Sequence, residues 1–244
     1  MARYLKHTSC PKCGSSDANA VYDDGSTYCF SCRRPSGSKI SPLVLQQEEE
    51  TETITLPPGC STNYHKDAVE WITKYITIEQ ALKHNVLYSS FKHQVIFPFY
   101  GENKTLLAYQ ARNLAATNKN KRYYTKGDIN DILPIYHYSV SSGNVHQTLP
   151  KKLVLVEDCL SAIKVAEALQ GSALACLGSG ISLTKLSRLK RFYDVLDVFL
   201  DPDMWHKSIA LARQAESMGF KARAIRAYRD PKEYSEHELQ EILK

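Results

Sequence analysis

Leu153-Val154-Leu155-Val156-Glu157-Asp158-Cys159-Leu160-Ser161-Ala162-Ile163 passes from an unbroken apolar run, through two acids, into a helical pattern, and that order decides the fold. Four apolar residues in succession leave no polar face, so the strand Leu153 to Glu157 is expected to be buried on both sides, as in a parallel sheet covered by helices. The alternation continues downstream. A helix is expected near Ser161 to Gln170, a strand at Ala173 to Leu177, a helix near Leu183 to Phe192, and a strand at Val195 to Asp201. Helix Lys207 to Met218 follows, closed by Gly219, then strand Lys221 to Ala227 and a last helix opening on a Ser235 to Glu238 capping box. Residues 150–244 therefore read as a parallel α/β sheet.

Sites in open parallel sheets lie beyond the carboxyl ends of the strands. Glu157 ends one strand and Asp201-Pro202-Asp203 follows another, which brings three carboxylates toward one edge. Like charges repel there unless a cation joins them, and hard ions such as Mg²⁺ or Mn²⁺ are held by carboxylates, water and substrate phosphates. The plainer alternative is that Asp201 and Asp203 cap the next helix.

Upstream, residues 59–149 read as an α+β module. Asp67 to Tyr75 and Thr77 to Asn85 look helical, the second with a Thr77/Gln80 capping box. Val95 to Tyr100 and Thr105 to Asn113 suggest a hairpin about Gly101-Glu102-Asn103-Lys104, with Arg122 to Lys126 as a further strand. From Lys104 to Lys126 the chain carries Arg112, Lys119, Lys121 and Arg122 and no acid, interleaved with Tyr109, Tyr123 and Tyr124. That mixture suits a single nucleic-acid strand held by phosphate contacts and base stacking, against the alternative of a solvated hairpin face.

The first 36 residues hold Cys10-x2-Cys13 and Cys29-x2-Cys32, fifteen residues apart. Two such knuckles place four thiolates at the corners of a tetrahedron, the arrangement of a structural Zn²⁺ in a ribbon too small to fold on its core alone. Gly14 suits the tight knuckle, and Asp24-Gly25 suits a type I′ turn between Ala20 to Asp23 and Ser26 to Tyr28. Lys12, Tyr28, Phe30, Arg33 and Arg34 offer contacts for a single strand or for a protein partner. Residues 37–58, rich in Ser, Pro, Gln and Glu, read as a flexible linker.

The whole chain of 244 residues is 43% hydrophobic and 23% charged, a globular composition that excludes a collagen-like, coiled-coil or mostly disordered chain. Its net charge of +5 is mild, so local charge carries the argument about partners. No apolar run reaches the roughly 18 residues of a membrane span and no leader pattern opens the chain, so a cytoplasmic protein without membrane partners is expected. Seven cysteines, an odd number, fit reduced thiols rather than a disulfide framework.

These motifs together resemble the phage and bacterial DNA primases, and most closely the primase half of phage primase-helicases, over nearly the whole chain. Val156-Glu157-Asp158 is similar to the catalytic glutamate motif of the Toprim domain, and Phe199-Leu200-Asp201-Pro202-Asp203 to its metal-binding motif. Ala108-Tyr109-Gln110-Ala111-Arg112 resembles the strand whose arginine faces nucleotide and template. The resemblance implies a zinc ribbon, an α+β middle and a Toprim-type sheet. It also implies Mg-dependent synthesis of short RNA primers on single-stranded DNA from ribonucleoside triphosphates. Glu157, Asp201 and Asp203 would be catalytic, while Arg112, Lys121, Arg122 and Tyr123 would hold nucleotide and template. The ribbon would select the template and swing on its linker to the active site. The usual glutamate motif continues with glycine and a further aspartate four positions on, where this chain has Asp158 and Ser161, so either Asp158 replaces the missing acid as a ligand or the site uses fewer protein ligands. Gly178-Ser179-Gly180 lacks the lysine of a phosphate loop, so a separate replicative helicase is expected as partner. A compact phage-type protein acting in the cytoplasm of a host bacterium fits this reading. The alternatives are a Toprim nuclease and a non-catalytic zinc-ribbon adaptor that binds single-stranded DNA.

Overall fold

The computed structural model describes residues 3–35, 54–101, 103–117, 122–130, 132–138, 151–178 and 180–244. They belong to two units, one within residues 1–53 and the other running from Ile54 to Lys244. Most of the stretch read as a linker lies outside the described residues, as do Lys119 and Lys121.

In the first unit β1 (Tyr4–Thr8), β2 (Asn19–Tyr22), β3 (Thr27–Cys29) and β4 (Arg34–Pro35) pair in that order as an antiparallel sheet. The hairpin is present, with Asp24 accepting from the Ser26 amide at 2.9 Å, but its turn is not the expected type I′: Gly25 has φ +78 while Asp24 is not left-handed. Strand β1 was not anticipated, because four of its five residues are exposed and carry no burial pattern. The apolar interior is small, with Ala20 and Val21 buried beside Cys10 and Cys29.

The second unit opens with a five-stranded antiparallel sheet, in the order β5 (Cys60–Ser61), β6 (Leu87–Ser89), β7 (Gln94–Tyr100), β8 (Leu106–Asn113), β9 (Tyr123–Gly127). Helices α1 (Lys66–Thr73) and α2 (Ile78–Lys83) precede β6, and both halves of the Thr77/Gln80 capping box are formed. Strand β7 is apolar on both sides because both sides are covered. Val95, Phe97 and Phe99 join the main core, while Ile96 joins a smaller cluster with Tyr109 and Ala111. Ile54 and Leu56, at the end of the stretch read as linker, pack on that smaller cluster. Gly127, with φ +100, closes β9 where an added Cβ would stand 2.5 Å from the Leu107 carbonyl oxygen, so no larger residue fits.

The second sheet of this unit has the order β10-β12-β11-β13-β14, from β10 (Ile135–His137), β11 (Lys152–Val156), β12 (Ser172–Ala175), β13 (Val195–Val198) and β14 (Lys221–Ala224). The last four are parallel as expected, and β10 adds an antiparallel edge that its three half-buried residues did not announce. Helices α3 (Cys159–Leu169), α4 (Leu183–Lys190), α5 (Trp205–Ser217) and α6 (Glu236–Ile242) cover the two faces. Leu153 and Leu155 pack with α4 and α5, whereas Val154 and Val156 pack with α3 and α6, which explains the unbroken apolar run. The chain steps from β11 to one neighbour, β12, and then crosses to the other, β13. That reversal is the switch point at which ligands bind in open α/β sheets. Among the described residues no helix is long and apolar enough to cross a membrane.

Candidate active site

Strands β11 and β13 are hydrogen-bonded neighbours, so the residues just past their carboxyl ends, Glu157 and Asp201, come to the same edge at the switch point. In Asp201-Pro202 the proline keeps the aspartate extended (φ −58, ψ 156) and starts a 3₁₀ turn over Pro202–Met204. The helix-capping alternative fails for Asp201, whose side chain makes no cap hydrogen bond. One oxygen of each acid, Glu157 Oε2 and Asp201 Oδ1, is buried without a partner. A buried acid need not be so placed: Asp197, two residues before Phe199, is fully buried but receives Arg223 Nε at 2.6 Å and Lys152 Nζ at 2.7 Å.

The unpartnered acids are electrostatically strained. Burial, then the charges of Asp230, Glu157 and Asp158, push the Asp201 carboxyl up to about 7, with Lys232 pulling the other way. Glu157 is raised by burial and by Asp203 and Asp158, again opposed by Lys232. Asp203 itself is exposed on the turn. These acids do not draw together as tightly as a closed metal cluster: among the described residues the groups whose ligand atoms all lie within 4.8 Å are the four ribbon cysteines and His65, Asp67 and His93. Unpaired, charge-strained oxygens facing one edge fit a hard divalent cation that still keeps waters.

Two members of this cluster were missed in the sequence. Asp230-Pro231 follows β14 as Asp201-Pro202 follows β13, and it starts the same kind of turn, Pro231–Glu233. The repeated Asp-Pro was the available signal. Lys232, on that turn, donates to Asp158 Oδ2 and Asp230 Oδ2, each at 2.9 Å, and its side chain is only 10% exposed. Burial would lower its pKa, but the two carboxylates raise it above the ordinary lysine value. Asp158 is fully engaged: Oδ1 accepts from the Ser161 amide at 3.0 Å as the N-cap of α3, and Oδ2 accepts from the Ser161 hydroxyl at 2.9 Å as well as from Lys232. The helix consequently starts at Cys159, two residues earlier than expected. Ser161, where the family pattern has an acid, is wholly buried beneath this cap.

The basic strand faces the same region. Arg112 and Tyr123 are cross-strand partners on β8 and β9, and the guanidinium lies 4.9 Å from the Tyr123 ring and 5.6 Å from that of Trp71 on α1. Burial raises the Tyr123 hydroxyl pKa, as does Asp158, while Arg112 and Lys232 lower it, so one ring feels both the acidic and the basic group. Arg112 Nε and Arg122 Nε are buried without partners, and so is Gln110 Oε1, on the Arg112 side of β8. Tyr109 departs from the expected stacking role, whereas Tyr124 remains 40% exposed. Strand alternation turns Tyr109 into the small core, and Tyr124 meets it edge-on at 6.2 Å while donating to Gln94 at 2.9 Å.

In the first unit the sulfur pairs Cys10/Cys32 and Cys13/Cys29 stand 4.0 and 3.7 Å apart, and all four sulfurs lie within 4.8 Å. Tetrahedral Zn–S bonds near 2.3 Å set sulfurs about 3.8 Å apart, so the cluster fits zinc. Burial raises both the Cys10 and Cys32 thiols; backbone N–H groups of Cys13 and Lys12 and the neighbouring sulfurs bring Cys10 down to about 7, whereas the same sulfurs hold Cys32 up at about 12. Gly14, with φ +70, turns the knuckle.

No family model and no curated protein matches the sequence. Solved structures do. The primase fragment of the bacteriophage T7 primase-helicase protein superposes with a TM-score of 0.53 at 18% identity, covering 95% of this chain and 94% of that one. The Aquifex aeolicus primase, comprising zinc-binding and RNA polymerase domains, gives 0.55 at 12% identity, covering 99% and 80%. At such identities the likeness is one of fold. A four-cysteine ribbon, an antiparallel middle sheet and a parallel sheet with acids at its switch point give this chain the fold of the phage and bacterial DNA primases.

Proposed function

We propose that this protein is a DNA primase, a nucleotidyltransferase that copies a single-stranded DNA template into a short RNA primer from ribonucleoside triphosphates. The observation that carries the reading is the pair of buried, unpartnered oxygens of Glu157 and Asp201 at the sheet's switch point, with Arg112 lying over Tyr123, a ring that feels the charges of Asp158 and Lys232. Glu157, Asp201 and Asp203 would hold Mg²⁺ or Mn²⁺, as in a Toprim domain. When bound, such an ion stabilises charge on the attacking and leaving oxygens of a phosphoryl transfer. The chain's own residues position the reactants. Arg112 and Arg122 supply guanidinium donors for phosphate oxygens, Tyr123 orients Arg112, and Lys121, assigned from the sequence, would add a further cation for the phosphates. The primer 3′ hydroxyl then attacks the α-phosphate of the incoming nucleotide, and pyrophosphate leaves.

Asp158 is not a metal ligand in this reading. Its Oδ2 is held by Lys232, whose fixed ammonium offsets part of the cluster's charge, so the ion is met by fewer acids than the family pattern supplies. The ribbon, filled with zinc, would choose the template. Because the T7 relative is a fragment of a primase-helicase, we assign a replicative helicase as partner, exposing template in the cytoplasm of a bacterium.

A primer-synthesis assay on single-stranded DNA with labelled ribonucleotides tests the reading. Short RNA products that require Mg²⁺ or Mn²⁺ and vanish in Asp201→Asn are expected. Shortening of the DNA itself would make the protein a nuclease, and DNA binding without products in either metal would make it an adaptor.

A further inference from the structure

Away from the acidic edge, three metal-ligating side chains converge on the middle module. His65 caps α1, Asp67 sits in the first turn of that helix, and His93 immediately precedes β7. One ligand atom of each lies within 4.8 Å of the others. Asp67 Oδ2 is 3.6 Å from His65 Nδ1 and 3.2 Å from His93 Nε2. Two ligands of one tetrahedral ion, each bonded at about 2.1 Å, stand about 3.4 Å apart, so these separations match the edges of a coordination polyhedron.

The surroundings fix what each ring can offer. The Asp67 amide approaches His65 Nδ1 at 3.4 Å, so that nitrogen carries its lone pair, and an ion bound there would replace this long cap contact. The buried Tyr88 hydroxyl lies 2.7 Å from His93 Nδ1. With Nδ1–H donating to Tyr88, the free lone pair of His93 sits on Nε2, the atom facing Asp67. A metal-bound histidine is oriented in this way by an acceptor on its second nitrogen. His93 also has φ +52, a backbone region costly for a non-glycine residue, and its carbonyl is held by the Leu114 amide at 3.1 Å.

We propose that His65, Asp67 and His93 form a second transition-metal site, separate from the acidic edge, for an ion of the Zn²⁺ class. Two imidazoles and one carboxylate are the donor set such ions take, and three protein ligands leave a position for water or a phosphate oxygen. The site stands one helical turn along α1 from Trp71, the ring on which Arg112 lies, so a nucleic-acid phosphate is within the chemistry that the open position accepts.

The test uses the full chain with its ribbon already carrying zinc, dialysed against Co²⁺ in a large excess of Mg²⁺. One further Co²⁺ per chain is expected, with the weak visible absorption of nitrogen and oxygen ligands and without the intense thiolate band that cobalt in the ribbon would give. His65→Ala, Asp67→Asn and His93→Asn should each lose it; asparagine at 93 tolerates the left-handed backbone, and thermal unfolding checks that each variant folds. Tyr88→Phe should weaken binding by about tenfold or more. Asp201→Asn should leave it unchanged. Absence of the extra ion, its survival in His93→Asn, or its loss in Asp201→Asn would each overturn the proposal.

Discussion

The two units treat charge and burial in opposite ways. Residues 3–35 gather four thiols within 4.8 Å around an interior of little more than Ala20 and Val21. Residues 54–244 bury Phe97, Phe199 and many leucines in continuous cores, yet leave Glu157 and Asp201 with unpartnered oxygens at the edge. Where the core is too small, a metal would complete the fold. Where the core suffices, the fold tolerates a strained site that a metal would relieve.

The sharpest way to break this contrast is to remove zinc. Chelation, or Cys29→Ser, should unfold residues 3–35 while leaving the larger unit intact, since structural zinc is worth about 10–16 kcal/mol to a domain of this kind. Backbone amide spectra or limited proteolysis would show the two units parting. Simultaneous loss of both would mean that the larger unit depends on the ribbon.

Next in size is the effect of relieving the acidic edge. Asp201→Asn and Glu157→Gln should each lower primer synthesis at least a hundredfold, because the several kcal/mol that a bound ion contributes to the transition state are lost. Yet metal-free Asp201→Asn should melt higher than the parent at neutral pH. The raised Asp201 pKa contributes stability that is present at low pH and lost as pH rises through about 7, so the parent's midpoint should fall over that range and the variant's should fall less. Equal pH profiles would mean that Asp201 is not strained by its neighbours.

A smaller effect is expected at Lys232. Lys232→Met strands Asp158 and Asp230, at a cost of roughly 3 kcal/mol for breaking a largely buried pair. It also removes the cation that lowers Asp201 and Glu157, so Mg²⁺ should bind more tightly and restore part of the lost stability. A fall in Mg²⁺ affinity would show that Lys232 does not compete with the ion. The same contacts revise what Asp158→Gly would mean. That change removes a helix cap and a lysine partner, so lost activity alone would not make Asp158 a ligand.

How much of this was legible depends on which residues carried a period. Leu153 to Val156 and the capping boxes at Thr77 and Ser235 were readable because two-sided burial and cap chemistry are local. Strands β1 and β10 were not, since an edge strand that is exposed, as β1 is, or uniformly half-buried, as β10 is, has no apolar alternation to show. The cysteine knuckles and Glu157, Asp201 and Asp203 announced themselves by spacing and by position after strands. Lys232 did not, because its partner Asp158 lies 74 residues away and only the fold joins them. Nor did His65, Asp67 and His93, which meet across a helix start and a strand start. Tyr109 misled for the opposite reason. Its composition suited stacking, but strand alternation turns it into the small core beside Ile96.

The smallest expected effect concerns the basic face, where the contrast between a binding surface and a merely solvated one is decided. If Arg112 contacts a phosphate, Arg112→Ala should reduce the slope of log affinity against log salt for single-stranded DNA by about 0.7. The guanidinium also lies against Trp71 and Tyr123, so alanine removes packing along with charge. Arg112→Lys separates the two contributions. It keeps the charge and the salt slope but loses the planar contact with the rings, so affinity should fall at every salt concentration by a similar factor. A slope that drops in alanine and persists in lysine identifies a phosphate contact made by a ring-supported cation. A slope unchanged in both would leave Arg112 as a packing residue and move the template path toward Arg122.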